Sequence, residues 1–538
     1  MKLSGTTILI PCLNRRYCLL LSMVAFMSVC WAQTVTERPR TTNLFDGKDM
    51  SHWDLNYEDG WSIAEGALVP SAKHRKNNYL WTKRSYGDFK LTLQYRLSEG
   101  ANSGVFYRSD PSNPVQGGFE IQLLDGRSKD DEQGRPTPRS NGALYDSVAP
   151  SKYNNAPAGE WNALMIYAKG PKVAVFVNGD MMASANFDRW TTPGENPDGS
   201  RNKFKTALAE LPRIGKIGLQ YHGQPVAFRH IRITEVTDAT PDPTVVTARP
   251  PANEQDLAYW MRNMVVDHGY SDTEIALATG LSIPAIRETK AILGLDSTPT
   301  SKRDRLRVLP YPGGRHTRIG FLDGAIDPHR ETKLSVFLPW DSTAYVVADF
   351  PEAIHSNLGL TYLAHKHVPT IWSVSGIEME PLEWERNDDG TFELLRELPN
   401  GLAYKAEAKP GKESLHMRLS LTNGTDAELT GLRVQNCVML RGAPEFARLT
   451  MDNRFSKSPY AAARNREGDR WMITSWEPHH RVWGNDRCPC VHSDPKFPDC
   501  SPGETVSVVG VLSFHEGVDV ETGIARLENS DWQRAFVR

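Results

Sequence analysis

Four segments in the first half of the chain alternate apolar and polar residues with a period of two: Phe89–Arg96, Gly104–Arg108, Phe119–Asp125 and Lys216–His222. Because successive side chains of a strand point to opposite faces, this pattern predicts four strands that each bury one face. The apolar positions are Phe89, Leu91, Leu93, Tyr95, Phe119, Ile121, Leu123, Ile217, Leu219 and Tyr221.

The opposite faces of these strands carry side chains suited to binding a sugar, namely Gln94, Arg96, Phe106, Arg108, Glu120, Gln122, Gln220 and His222. If the strands are neighbours, these residues form one sheet face with hydrogen-bonding groups, two acid/base groups and an aromatic ring. A sugar presents hydroxyl groups with apolar C–H patches between them, so it fits such a face.

The rest of the chain divides into further segments. A length of 538 residues predicts two or three domains, and 41 glycines with 36 prolines favour a mainly β architecture. We predict an N-terminal β domain over 44–236, a Pro/Thr-rich linker over 237–253, a helical module over 254–295 and a β-sandwich-like domain over 305–538. Turn pairs at Asn178-Gly179, Asp389-Gly390 and Asn423-Gly424 predict hairpins. Long polar loops over 126–160 and 183–211 are typical of binding loops.

The helical module has clear end signals. Ser271 and Glu274 form a capping-box pattern, Gly280 ends that helix, and Ser282 with Pro284 begins the next. The arrangement is similar to a helix-turn-helix, which would imply DNA binding. A net charge of −3 and few basic residues on the second helix favour a packing module instead, and we predict no nucleic-acid partner.

The first 32 residues have the pattern of a signal peptide. Basic Lys2, Arg15 and Arg16 precede the apolar run Tyr17–Val29, and Cys30-Trp31-Ala32 suits signal peptidase cleavage. This predicts an exported protein, periplasmic or extracellular, with no stable membrane span after cleavage. A lipid anchor at Cys30 and an uncleaved signal anchor are the alternatives.

Four cysteines follow the leader: Cys437, Cys488, Cys490 and Cys500. Export permits disulfides, and we predict that Cys490 pairs with Cys500. A metal site from Cys488, Cys490, His492 and Cys500 is the less favoured alternative, because the spacing matches no common zinc pattern. His365 and His367 could share a strand face, but ordinary loop or strand histidines are the favoured interpretation. The sequence predicts no metal and no cofactor.

Six motifs resemble the 3-keto-disaccharide hydrolase domain family: LFDGKDMSHWD (44–54), NSGVFYRS (102–109), GFEIQLLD (118–125), GALYD (142–146), GEWN (159–162) and IGLQYHGQPVAFRHIRI (217–233). The resemblance implies a concanavalin-like jelly-roll fold and cleavage of glycosides already oxidised at C3 of the sugar. Tyr221 departs from the family pattern, in which many relatives have Asp.

The implied reaction sets what the site must contain. A ketone at C3 acidifies the C2 proton, a base removes that proton, the C1 leaving group departs, and water adds later. Such a site needs a base, an acid and donors for the enolate oxygen. From parity and chemistry we predict Glu120 as base or acid, His222 as the second acid/base group and Arg108 as oxygen-binding group.

Each of these assignments has a structural alternative. Glu120 could be a solvated outer-face carboxylate, His222 a satisfied strand-end histidine, and Arg108 the ion-pair partner of Glu120. The predicted substrate-binding residues are Gln94, Arg96, Phe106, Gln122, Asp125, Tyr145, Asp146 and Gln220. Of these, Asp125 could instead cap the loop that follows it, and Tyr145 and Asp146 could instead anchor a loop. We assign Trp53, Trp61 and Trp81 to the core.

Two other function classes stay open for the whole chain. The N-terminal domain could bind glycans without cleaving them, or both β domains could serve as a cell-envelope scaffold, because fold alone does not decide activity. The sequence leaves the role of 252–538 and the oligomeric state open.

Overall fold

The computed structural model describes residues 40–54, 60–71, 78–126, 134–237, 248–295, 305–314, 330–365 and 368–536, of which Thr41–Arg538 form one unit. The predicted signal peptide, most of the linker and His367 lie outside the described residues. None of the helices in this described part is long and apolar enough to cross a bilayer.

The N-terminal strands form two sheets. They are β1 Thr41–Phe45, β2 Trp53–Asp54, β3 Trp61–Ala64, β4 Ala67–Pro70, β5 Asn78–Tyr86, β6 Phe89–Leu97, β7 Asn102–Ser109, β8 Phe119–Leu124, β9 Trp161–Lys169, β10 Lys172–Val177, β11 Asp180–Asn186, β12 Gly215–Tyr221 and β13 Val226–Glu235. Sheet 1 has the order β11-β10-β9-β6-β13-β4-β3, with β1 also paired to β13, and sheet 2 has the order β2-β5-β12-β7-β8. This is the mainly β jelly-roll sandwich that the sequence predicts.

The core between sheets 1 and 2 confirms the period-two analysis. All ten predicted apolar positions belong to one buried cluster, which also contains Trp53 and Trp61. The predicted Asn178-Gly179 hairpin is also confirmed, since this pair, with positive φ at both residues, joins β10 to β11. Both residues of such a two-residue turn need the left-handed backbone region.

Three helices follow the N-terminal domain: α1 Glu254–Arg262, α2 Asp272–Thr279 and α3 Ile283–Leu293. The capping box of Ser271 and Glu274 is present, and Gly280 ends α2 in a left-handed conformation, as predicted. The module packs on the C-terminal domain. His268 Nε2 lies 2.8 Å from Ser335 Oγ, and the Tyr270 hydroxyl donates to the Gly313 carbonyl at 2.7 Å.

The C-terminal domain is a second sandwich. Its elements are β14 Val308–Pro310, β15 Lys333–Phe337, β16 Tyr345–Ser356, β17 Gly359–Leu363, α4 Ile371–Val374, β18 Glu385–Arg386, β19 Phe392–Glu397, β20 Leu402–Pro410, β21 Ser414–Asn423, β22 Arg433–Met439, β23 Arg454–Lys457, β24 Tyr460–Arg464, β25 Arg470–Glu477, β26 His479–Asn485, β27 Cys490–Pro495, β28 Thr505–Glu516 and α5 Val520–Glu528. Sheet 3 has the order β14-β15-β16-β22-β27-β26, with β17 paired to β16. Sheet 4 has the order β18-β19-β20-β21-β28-β25-β24-β23.

Two turn predictions in this domain had different outcomes. Asp389-Gly390 lies in the hairpin between β18 and β19, as predicted. The hairpin prediction at Asn423-Gly424 is wrong, because β21 pairs with β20 and β28, whereas the next strand, β22, belongs to sheet 3. The chain therefore crosses between the two sheets of the sandwich at this turn.

The predicted disulfide between Cys490 and Cys500 is wrong. Cys437, Cys488, Cys490 and Cys500 are all buried thiols rather than halves of a disulfide. The Cys500 thiol donates to the Glu504 carbonyl at 3.4 Å, next to the bridge between Leu429 and Cys500. Cys490 lies instead on β27, 3.3 Å from the Nε2 atom of His492.

Candidate active site

The outer face of sheet 2 carries two parallel rows of side chains. Strand register places Trp81 opposite Gly218, Gly218 opposite Phe106, and Phe106 opposite Glu120. The second row, one pleat further along, contains Tyr79, Gln220, Gly104 and Gln122. Four residues predicted for one face, Phe106, Glu120, Gln122 and Gln220, therefore do lie together. We call this surface the glutamate face.

Each row contains one glycine, and the missing side chain makes room for a neighbour. A methyl group on Gly104 would lie 2.6 Å from Glu120 Oε1 and 3.3 Å from Gln220 Oε1. A methyl group on Gly218 would lie 2.4 Å from the ring of Trp81. The carboxylate and the indole therefore occupy the space that a larger residue would fill.

Aromatic rings form one side of the glutamate face. Tyr79 stacks on Trp81 at a centroid distance of 5.4 Å, and Phe106 meets Tyr79 edge to face at 5.1 Å. Both Tyr79 and Trp81 are half-buried, so part of each ring remains accessible. Exposed aromatic surface beside hydrogen-bonding groups suits the alternating polar and apolar surface of a sugar.

Glu120 is a buried carboxylate that pairs with Lys203 in the described part of the chain. It is 8% exposed, and its Oε2 atom lies 3.4 Å from Lys203 Nζ. Burial raises the pKa of Glu120, while the charge of Lys203 opposes that shift. Burial lowers the pKa of Lys203, against the opposing charge of Glu120. Both shifts reduce the difference between the pKa values of the two groups.

Two loops hold this pair in place. Tyr145 N donates to the Glu120 carbonyl at 2.9 Å, which fixes the GALYD segment along β8. The Lys203 Nζ lies 3.9 Å from the centre of the Tyr145 ring. Asp146 accepts from Lys203 N at 2.6 Å and from Arg139 Nε at 3.2 Å. Tyr145 therefore borders the site, whereas the Asp146 carboxylate is engaged in positioning the loop that carries Lys203.

The glutamines differ in how far their hydrogen-bonding capacity is used. Gln122 Nε2 donates to Asn102 Oδ1 at 3.2 Å. The buried Gln220 Oε1 has no hydrogen-bond partner among the described residues, and it lies beside Glu120 above Gly104. An unsatisfied buried acceptor is costly in a folded protein, so this atom is suited to accept from a bound hydroxyl group.

The prediction that Arg108 lies on this face is wrong. A register shift between β7 and β12 and a positive φ at Arg108 break the alternation there. The side chain is 1% exposed and donates to the Gly87 carbonyl at 2.8 Å, the Gly170 carbonyl at 2.6 Å and Asp88 Oδ1 at 2.9 Å. Arg108 therefore ties two turns together and is not the ion-pair partner of Glu120.

Gln94 and Arg96 are also placed elsewhere, because β6 belongs to sheet 1. The outer faces of two packed sheets point in opposite directions, so these side chains cannot join the glutamate face. Gln94 Nε2 donates to the Asp486 carbonyl of the C-terminal domain at 2.7 Å. The Arg96 guanidinium lies 4.8 Å from the centre of the Trp161 ring.

Asp125 and His222 do not take part in the cluster either. Asp125 Oδ2 accepts from Gly100 N at 2.9 Å, so it caps the turn after β6 rather than the loop that follows Asp125. His222 is half-buried just after the end of β12, and among the described contacts none joins it to Glu120 or Lys203.

Three residues of the site escaped the sequence analysis. Tyr79 and Trp81 alternate with Leu80 and Thr82 in β5, so the period-two rule that identified the other strands also applies to this segment. The prediction that Trp81 belongs to the core is wrong, because its ring stacks on Tyr79 at the outer face. Lys203 lies in a polar loop 83 positions from Glu120, and no local pattern distinguishes it from other loop lysines.

Comparison with known proteins identifies the domain that carries the glutamate face. Residues 40–234 match the model of the 3-keto-alpha-glucoside-1,2-lyase-like domain. A 3-keto-disaccharide hydrolase of Bacteroides thetaiotaomicron is 26% identical over 221 residues, which is 35% of this chain and 76% of that protein. Two crystal structures of candidate glycosyl hydrolases from Parabacteroides distasonis are also similar. One is 32% identical, with a TM-score of 0.34 and coverage of 37% of this chain and all of that one. The other is 24% identical, with a TM-score of 0.30 and coverage of 37% and 94%. Through residues 40–234, the chain belongs to the 3-keto-alpha-glucoside-1,2-lyase-like domain family.

Proposed function

We propose that the N-terminal domain cleaves 3-keto-glycosides on the glutamate face. In this reaction a base removes the C2 proton, the C1 leaving group departs, and water then adds to the unsaturated sugar. The proposal rests on family membership for the substrate class and on the buried Glu120–Lys203 pair for the chemistry.

Glu120 is the group we assign to proton transfer. A base for carbon acids works best when its pKa lies near the working pH, and burial raises the pKa of this carboxyl in that direction. The two-carboxylate arrangement of ordinary glycosidases is not needed, because the ketone itself activates the C2 proton.

Lys203 is the group we assign to the developing negative charge. Its ammonium, 3.4 Å from Glu120 Oε2, is close enough for one sugar ring to contact both groups. Proton removal at C2 moves charge onto the ketone oxygen, and a nearby cation stabilises that oxygen more in the transition state than in the substrate. This role was predicted for Arg108, whose side chain is committed to the turns beside β6.

The remaining residues of the face are assigned to binding. Gln220 Oε1 would accept from a sugar hydroxyl, Gln122 would contribute its amide, and Trp81 with Tyr79 would cover an apolar face of the ring. We also propose that the protein is exported, on the basic and apolar pattern of its first 32 residues.

Non-catalytic glycan binding is the second candidate, favoured by the aromatic group of Tyr79, Trp81 and Phe106. Such a group binds sugars whether or not a base is present. The two functions differ in what they require of Glu120, so a substitution at this position distinguishes them.

The test is hydrolysis of 3-keto-trehalose, with unoxidised trehalose as the substrate control. Release of free sugar is expected from the oxidised substrate alone. Glu120→Gln should lower kcat by about 10²-fold or more while the thermal midpoint stays near that of the wild type. Glu99→Gln is the matched control, since Glu99 is an exposed glutamate of the same domain. No release from either substrate, together with measurable glycan affinity, would replace this proposal with the binding function.

A further inference from the structure

Two neighbouring strands of sheet 3 place sulfur and nitrogen atoms on the face that points away from the sandwich core. Register pairs Met439 of β22 with Cys490 of β27, and Val438 with Val491. Because side chains alternate along a strand, Cys437 and Met439 share this outer face with Cys490 and His492. Valines 438 and 491 instead enter the core between sheets 3 and 4.

Three of these side chains converge. The ligand atoms of Cys437, Cys490 and His492 all lie within 4.8 Å of one another, and the three residues are 2%, 2% and 1% exposed. His492 Nε2 lies 3.3 Å from Cys490 Sγ. In a tetrahedral site with metal–ligand bonds of about 2.0–2.3 Å, neighbouring ligand atoms are separated by about 3.3–3.8 Å. The cluster is therefore already close to the size of a metal coordination shell.

The histidine ring is held as a metal ligand requires. His492 Nδ1 lies 2.7 Å from the Asn436 carbonyl, and the ring stacks on Trp483 with centroids 3.7 Å apart and an interplanar angle of 9°. A carbonyl can only accept, so Nδ1 carries the hydrogen, and Nε2 faces the thiols. Metal-binding histidines characteristically donate their second ring N–H to a backbone carbonyl or carboxylate in this way.

We propose that Cys437, Cys490 and His492 bind a zinc-class transition-metal ion in the C-terminal domain. Two thiolates and an imidazole are soft or borderline donors, which select zinc and related ions over magnesium or calcium. The nearby Cys488 thiol donates to Met439 Sδ at 3.7 Å and is not one of the three converging ligands. The site is independent of the glutamate face and of the reaction proposed there.

The proposed ligand set matches the charge of a divalent ion. Two thiolates neutralise such an ion, and the neutral imidazole adds no charge. The thiols must release their protons on binding, so metal affinity depends on pH.

The cluster lies next to a cavity. Met439 and Cys488 line this cavity of about 710 Å³ between the two β domains, and Trp161 and Asp180 also belong to its lining. Because Met439 pairs with Cys490 in sheet 3, the cavity ends beside one of the proposed ligands.

A neighbouring group of Asp349, Glu352 and His365 also has ligand atoms within 4.8 Å of one another. One of its two carboxylates is already paired, because Lys333 Nζ lies 3.1 Å from Asp349 Oδ2. A cation there would compete with a buried ammonium, so the thiol cluster is the better metal site.

The test is the metal content of the purified full chain. Elemental analysis should give about one zinc ion per chain, as isolated or after reconstitution with Zn²⁺ under reducing conditions. Replacement by Co²⁺ should give the intense visible absorption of tetrahedral cobalt bound to thiolates. Both measurements use the unmodified protein, so they do not depend on whether a cysteine variant folds.

Variants then locate the site. Cys437→Ser and Cys490→Ser should each lower bound zinc at least about tenfold, whereas Cys500→Ser, a buried thiol of the same domain with backbone partners, should keep it. Less than about a tenth of an ion per chain after reconstitution would overturn the proposal. Equal loss of zinc from Cys500→Ser, or a Cys437–Cys490 disulfide that prevents reconstitution, would also overturn it.

Discussion

Replacing Gly104 by alanine should damage the glutamate face with little effect on the fold. Gly104 lies in extended strand backbone that alanine adopts without strain. The new methyl group would lie 2.6 Å from Glu120 Oε1, whereas real methyl contacts are essentially never closer than 3.0 Å. The carboxylate must therefore move by at least about 0.4 Å, and as the end of a flexible side chain it can do so.

The size of the effect follows from this displacement. A misplacement of about 1 Å at a reacting group can cost about 10²-fold in rate, so a shift near half that distance should cost about 5- to 30-fold. This corresponds to about 1–2 kcal/mol of transition-state stabilisation. The free energy of unfolding should change by less than about 1 kcal/mol, since alanine also restricts the unfolded chain.

The assay is kcat/KM for cleavage of a 3-keto-disaccharide, with urea denaturation of the same preparation. Gly87→Ala is the matched control, because its methyl group would meet only the Arg213 carbonyl, at an ordinary distance of 3.7 Å. A Gly104→Ala variant as active as Gly87→Ala would show that the position of the Glu120 carboxylate does not matter. A large loss of unfolding free energy would show that the Glu120 side chain cannot move aside for the new methyl group.

Two further substitutions test the assigned roles. Lys203→Met should lower kcat/KM by about 10²-fold. It should also shift the acid limb of the pH–rate profile to higher pH, because Glu120 must be ionised to act as a base and Lys203 lowers its pKa. If the acid limb of the pH–rate profile does not move, Lys203 does not influence the pKa of the base. Arg108→Met should cost about 2–4 kcal/mol in the free energy of unfolding measured in urea, since it leaves the Gly87 and Gly170 carbonyls without their donor. The folded fraction should keep wild-type kcat/KM. A loss of kcat/KM in the folded protein would show that Arg108 acts in the reaction.

The faces of single strands could be predicted from the sequence, because side-chain alternation is a local property. Leu91, Ile121 and Leu219 are buried where the pattern places them, and Glu120 with Gln122 lies on the opposite face of β8. The same rule fails at Arg108, where a bulge and a left-handed backbone turn the side chain away. A bulge adds one residue to a strand without an obligatory sequence signal, so alternation alone cannot reveal it.

The sheet to which each strand belongs could not be predicted in this way. β6 has the same alternating pattern as β8 and β12, yet it pairs with β9 and β13 in sheet 1. Strand pairing depends on contacts between distant segments, which the composition of one strand does not encode. For the same reason Lys203 was missed, since only the path of its loop brings it to Glu120.

The C-terminal domain contacts one of the two outer faces of the N-terminal sandwich, the outer face of sheet 1. On sheet 1, Arg229 donates to the Leu449 carbonyl at 2.7 Å, and His230 lies 2.9 Å from Asp486. This face is therefore occupied by protein, which explains why its polar residues, Gln94 among them, have partners outside their own domain. On sheet 2 the buried Gln220 Oε1 has no partner among the described residues. The cover on sheet 1 and the unsatisfied acceptor beside Glu120 on sheet 2 are the physical reasons for placing the proposed substrate on sheet 2.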